Sequence, residues 1–135
     1  MMVARAMAAL LWDLEAATAE LYRRYPNLAA YGFVDRLPVV DRPDELQILR
    51  CLAWLADSVR RLEGENSYSL KHQVERWVRG CRLAVGCEGY IGNGAMLAAL
   101  LLVGWPIRRR GPNGVVTHNH RRASRFRYEP ETSKG

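Results

Sequence analysis

Lysine is nearly absent from this chain: 18 of its 20 basic side chains are arginine, and the two lysines are Lys71 and Lys134. Arginine suits paired contacts to phosphate oxygens because its planar guanidinium presents parallel N–H donors. A GC-rich coding sequence also enriches arginine, so the placement of these residues carries more weight than their number. Cysteine is scarce as well. Cys51, Cys81 and Cys87 are an odd count, and none has the two-residue spacing of a zinc or redox pair, which argues against a disulfide framework and suggests a reducing, cytoplasmic setting. No apolar run approaches the ~18 residues of a membrane span. The N-terminal "MMVARAMAALLWDLEAATAELYRR" is interrupted by Asp13, Glu15 and Glu20, so it reads as a soluble helix and not a signal segment. A phosphate-cradling loop is missing too, because Gly92-Asn93-Gly94 is too short for one. Cys81, Cys87, Ser67 and His72 have nucleophile or base chemistry without diagnostic spacing. His118-Asn119-His120 lacks a partner at metal-ligand spacing, with Cys81, Cys87 and His72 all in other segments. The expectation is a non-enzymatic protein with no cofactor, no metal and no membrane partner.

What is present is an ordinary core-forming composition with a lopsided charge. With 135 residues, 49% apolar and 25% charged, one domain can bury about two thirds of its surface without covalent or metal support. A single domain over residues 1–128 is expected, followed by a flexible tail at 129–135. The net charge of +6 belongs to the second half. Residues 1–66 carry 8 basic against 10 acidic side chains, whereas residues 67–135 carry 12 against 4. Such asymmetry points to a face for nucleic acid or another acidic partner.

Periodicity outlines four helices. Val3, Met7, Leu10, Leu14, Ala17 and Leu21 recur at steps of three and four, lining one face of a helix that Pro26 stops near Tyr25. After a proline-containing connection, Asp41 or Asp44 can cap a second helix with Pro43 in its first turn. Leu46, Leu49, Leu52, Ala53, Ala56, Val59 and Leu62 form its apolar stripe, and Gly64 is its stop. Ser67 or Ser69 would cap a third helix whose buried face reads Leu70, Val74, Trp77 or Val78, and Cys81. A fourth, "AMLAALLLVGW", is apolar all round, with Asn93 as its cap and Gly104-Trp105-Pro106 as its stop, and is therefore the buried centre. Gly111-Pro112-Asn113-Gly114 between two short runs predicts a basic β-hairpin. The fold class is thus mainly α: a compact four-helix domain with a C-terminal basic hairpin and a frayed tail.

Two groups of side chains are candidates for contact with a polyanion. On the third helix, His72, Arg76 and Arg79 share a face at i, i+4, i+7 beside Lys71. A contact face and the wet side of a packed helix both account for them. A winged-helix arrangement would need this helix in the major groove, because the leucine-rich fourth helix has no polar face to offer. The second group is Arg108, Arg109, Arg110, Arg121, Arg122, Arg125 and Arg127, with Phe126 and Tyr128 among them and no acid from Arg108 to Arg127. Arginine with aromatic neighbours suits phosphate contact plus base stacking.

"SYSLKH..VE" at Ser67 to Glu75, "GYIGNGAMLAALLLVGW" at Gly89 to Trp105 and "GPN" at Gly111 to Asn113 together resemble a group of small uncharacterised phage and mobile-element proteins. The resemblance spans residues 67–114 and brings no activity with it. It implies that Ser67, Tyr68, Lys71, His72, Tyr90, Asn93, Gly94 and Asn113 act together. Two readings follow. One is a small DNA- or RNA-binding accessory or regulatory factor that holds phosphates with the C-terminal arginines. The other is a protein-interaction factor, such as an anti-defence, anti-CRISPR-like inhibitor, whose basic surface meets a host complex. The apolar share of the first helix could equally serve the core or a homodimer.

Overall fold

The computed structural model describes residues 13–58, 61–81 and 89–117. The first described helix, α1 (Leu14–Arg24), begins where the Asp13 carboxylate accepts the Ala16 N–H and buries Leu14, Ala17, Thr18 and Leu21. It closes on Tyr25, immediately before Pro26, as the sequence predicts. Val3, Met7 and Leu10 lie outside the described residues.

The connection that follows contains more order than its sequence suggests. Two strands of two residues each, β1 (Leu28–Ala29) and β2 (Gly32–Phe33), pair antiparallel, with Leu28 opposite Phe33 and Ala29 opposite Gly32. Strands this short cannot display a period-two pattern. Burial of Leu28 and Phe33 holds them in place. Arg42 adds a polar tie, donating to the Leu28 carbonyl at 2.8 Å while its guanidinium carbon lies 4.6 Å from the centre of the Tyr22 ring.

Helix α2 (Glu45–Asp57) is capped by Asp44, whose side chain accepts the Gln47 N–H at 3.1 Å. Pro43 therefore precedes the cap and does not occupy the first turn. The buried stripe is also rotated from the expected one. Ile48, Cys51, Leu52, Trp54 and Leu55 face the core, while Leu46, Ala53 and Ala56 are exposed. The set 48, 51, 52, 55 follows i, i+3, i+4, i+7 and fits a helical face better than the leucine-led set. The helix ends at Ser58, not at Gly64. Leu62 reaches the core from extended chain, and the Gly64 N–H donates to the Val116 carbonyl at 2.7 Å, a pairing that a continued helix would forbid.

Helix α3 (Ser67–Gly80) takes Asn66 as its cap, one residue before the expected serine; the Asn66 side chain accepts the Tyr68 N–H at 2.7 Å. Leu70, Val74 and Val78 point inward and Trp77 is half-buried, whereas Cys81, just past the helix end, is exposed and not part of the core face.

Helix α4 (Asn93–Val103) is the centre of the molecule. Every residue except Leu101 is buried, and the helix touches α1, α2, α3 and both hairpins. A helix without a polar side can only be stable in this position. Gly94 lets it start there. A Cβ at that position would collide with the Ala29 carbonyl oxygen and lie 2.7 Å from that of Ala30, so the β1–β2 turn and the helix could not approach as they do. The final hairpin joins β3 (Ile107–Arg110) to β4 (Asn113–Val116), with Arg110 opposite Asn113. Its two-residue turn, Gly111-Pro112, has φ of 61° at the glycine, the left-handed geometry that a tight hairpin requires at its first central position. Among the described residues the fold is thus mainly α, with four helices and two small antiparallel sheets. No described helix is long and apolar enough to cross a membrane.

Candidate functional site

The N-terminus of α4 meets the two hairpin turns and the start of α3, and one side chain joins them. Asn93, expected to cap the helix, is its first residue, and its amide is directed to other elements. Its Nδ2 donates to Asn113 Oδ1 at 2.9 Å and to the Pro112 carbonyl at 3.2 Å, and lies 3.4 Å from the Tyr31 carbonyl. Its Oδ1 accepts the Ser67 hydroxyl at 2.8 Å, and the Ser67 oxygen in turn accepts the Gly114 N–H at 3.0 Å. Ser67 and Asn93 are both buried, so each bond satisfies a group that would otherwise be costly. Alongside, Gly92 donates to Gln47 Oε1 at 2.8 Å and Gly94 to the Ala30 carbonyl at 3.0 Å.

A second polar group lies one helical turn along α3. Lys71 and Glu75 are both buried, at 5% and 8% exposure, and pair at 3.1 Å. Glu75 also accepts the Ile91 N–H at 2.9 Å and meets His72 Nδ1 at 2.9 Å. Burial opposes ionisation of this carboxyl, but the Ile91 N–H, His72 and Lys71 together hold it below the usual carboxylate range. The Lys71 ammonium lies 5.3 Å from the Tyr68 ring centre and 4.8 Å from that of Tyr90, a cation–π contact with each. The Tyr68 ring also meets His72 edge-on, with centres 4.6 Å apart.

Over these groups opens a cleft of about 310 Å³ lined by Tyr31, Tyr68, Lys71, Tyr90, Asn93, Pro112 and Asn113. Its tyrosines are 67%, 52% and 44% exposed in chain order. Tyr31 and Tyr90 also border a second cleft of about 240 Å³, walled by Asp41, Arg42, Asp44 and Gln47. The first cleft offers aromatic faces and amide groups. Among the described residues no three His, Cys, Asp or Glu side chains are grouped to hold a metal. Cys51 is fully buried, and that burial pushes its thiol pKa up, away from reactivity.

Of the candidates on α3, Arg76 and Arg79 are exposed and His72 is partly so. Lys71 is not on that face: its side chain is 7% exposed and its charge is met by Glu75. Glu75 sits at i+4 from Lys71, the spacing of a helix ion pair, and that spacing was the available signal for its role. Tyr31 and Gln47, in contrast, come from segments without a motif. On β3, Arg108 and Arg110 are exposed, and Arg109 reaches Asp35 at 2.8 Å and the Gly111 carbonyl at 2.7 Å. Arg121, Arg122, Arg125 and Arg127, together with Cys87, His118, His120, Phe126, Tyr128 and the tail at 129–135, lie outside the described residues. Comparison with protein-family models, with curated proteins and with solved structures found no match.

Proposed function

We propose that this chain is a small, non-enzymatic nucleic-acid-binding protein, an accessory or regulatory factor of a phage or mobile element, that grips phosphates through the arginines of its C-terminal hairpin. The observation carrying this reading is the state of β3. Residues two apart on a strand share a face, so Arg108 and Arg110 project together, exposed and without an ion-pair partner among the described residues, while Arg109 is occupied by Asp35. The hairpin is a firm base for them. Gly114 is tied to Ser67, and Val115 bridges to Asn66. Arg121, Arg122, Arg125 and Arg127 continue the acid-free run in sequence and would add to the same electrostatic attraction.

Equilibrium binding to a mixed-sequence oligonucleotide across a salt series tests the reading. Each phosphate contact contributes about one unit to the slope of log affinity against log salt. Replacing Arg108 and Arg110 together with alanine should therefore flatten the slope by about two units, and more than replacing Arg76 and Arg79. An unchanged slope and affinity in the folded Arg108→Ala/Arg110→Ala variant contradicts it. The exposed tyrosines favour one other reading, since tyrosine is enriched where proteins meet. A host-complex inhibitor of the anti-defence kind would bind nucleic acid weakly, with little dependence on salt.

A further inference from the structure

The tyrosine-lined cleft has no part in the phosphate contacts of the hairpin, yet its construction is specific. Three large aromatic rings stand exposed around a floor of satisfied polar groups. Tyr68 and Tyr90 are held by the buried ammonium between them, with ring centres 5.3 and 4.8 Å from Lys71 Nζ. That ammonium decides what the cleft can take. Its positive charge beside both rings disfavours a second cation there, which argues against a methylammonium or guanidinium guest. It offers little to an anion either, since Glu75 meets its charge at 3.1 Å. An uncharged planar ring remains, able to stack on a tyrosine face and use an amide at its edge. Asn113 supplies that amide: its Oδ1 is taken by Asn93, and its NH₂ group has no partner among the described residues.

The surroundings narrow the ring to a nucleobase. Pro112 and Asn113, which line the cleft, are separated from Arg108, Arg109 and Arg110 only by Gly111. Arg108 and Arg110 are about 7 Å apart along the strand, comparable to the step between successive phosphates of an extended single strand. The volume, about 310 Å³, suits one nucleoside and cannot admit a duplex. A base paired within a duplex has both faces covered, so it cannot reach a tyrosine without leaving the stack. We infer that this cleft binds one unpaired nucleobase of a single-stranded nucleic acid, stacked on Tyr31 and Tyr90 with the Asn113 amide at its edge. The inference rests on the nucleic-acid reading above and specifies its substrate class as single-stranded.

The test uses the full chain, a mixed-sequence single strand containing 2-aminopurine, and the matched duplex. Anisotropy reports affinity, and 2-aminopurine fluorescence reports stacking. The chain should bind the single strand more tightly than the duplex and quench the fluorescence. Tyr90→Ala and Tyr31→Ala should each weaken single-strand binding by about tenfold and reduce the quench, with the salt slope unchanged. Tyr31 is 67% exposed on a turn, so its truncation leaves the core intact, and circular dichroism verifies folding of both variants. Equal affinity and quench in wild type and tyrosine variants, with a steep salt slope, would overturn the cleft assignment and leave the arginine reading standing. Equal or tighter binding of the duplex by the wild-type chain would also overturn it. Failure of the wild-type chain to bind either nucleic acid overturns both.

Discussion

Replacing Glu75 with glutamine keeps the shape of the side chain and removes its charge, which isolates the role of the buried pair beneath the cleft. Lys71, with a side chain 7% exposed, would lose its ion-pair partner. Removing one member of a buried pair typically costs about 3–5 kcal/mol, because the remaining charge stays desolvated. Two features favour the lower end. The glutamine oxygen can still accept the Ile91 N–H, and the Tyr68 and Tyr90 rings still attract the ammonium. A loss of about 3 kcal/mol is expected, a large share of the roughly 5–15 kcal/mol that stabilises a domain of this kind. Urea unfolding followed by tryptophan fluorescence reads it directly, since Trp54 is buried in the core at 7% exposure. For a denaturant slope of about 1–3 kcal/mol per molar, the midpoint should fall by about 1–3 M. Adding Lys71→Met should recover most of the loss, as no unpaired charge then remains. A Glu75→Gln variant within about 0.5 kcal/mol of wild type would refute the reasoning, and with it the view that this pair fixes the cleft floor.

The same carboxylate sets a pH dependence. Because its folded pKa lies below the usual value, its contribution is complete above about pH 4.3 and is lost as pH falls through the folded pKa; urea midpoints should drop below about pH 4, less so in Lys71→Met/Glu75→Gln. Gly94→Ala should abolish folding or nearly so, seen as loss of the cooperative thermal transition, because the Ala30 oxygen would lie 2.7 Å from the new Cβ. Ser67→Ala should cost about 1–3 kcal/mol in urea unfolding, since it leaves the buried Gly114 N–H without its acceptor.

The parts of this fold that were legible in the sequence are those where one local rule acts alone. Leucines and alanines with no polar interruption placed α4 at the centre, Pro26 closed α1, and Gly111-Pro112-Asn113-Gly114 marked the hairpin, though Asn113 and Gly114 belong to its second strand. The register of α2 was harder to read because two overlapping apolar sets share Leu52, and only packing against α4 selects the one with Ile48 and Leu55. Its end was invisible for a related reason: the chain at Gly64 to Asn66 runs beside β4, a partner about 50 residues away in sequence. The candidate site shows the same division. The resemblance groups Ser67, Tyr68, Lys71, His72, Tyr90, Asn93, Gly94 and Asn113, and of these Tyr68, Lys71, Tyr90, Asn93 and Asn113 line one cleft. Lys71, however, looked like a surface charge, since sequence spacing does not say which side of a helix is covered by a loop 16 residues beyond Glu75. Tyr31 and Gln47 enter through tertiary contact alone and leave no periodic trace.

An amide NMR titration of the full chain with a short mixed-sequence single strand tests nucleic-acid contact through the hairpin most directly, because it reads whether the strand binds and where. The largest shift changes are expected at Arg108 to Asn113, with Tyr68 and Tyr90 following at the cleft, and these should shrink as salt is raised. No shift changes at strand concentrations well above that of the protein, or changes centred on Leu14 to Arg24 with the hairpin unmoved, would contradict the account.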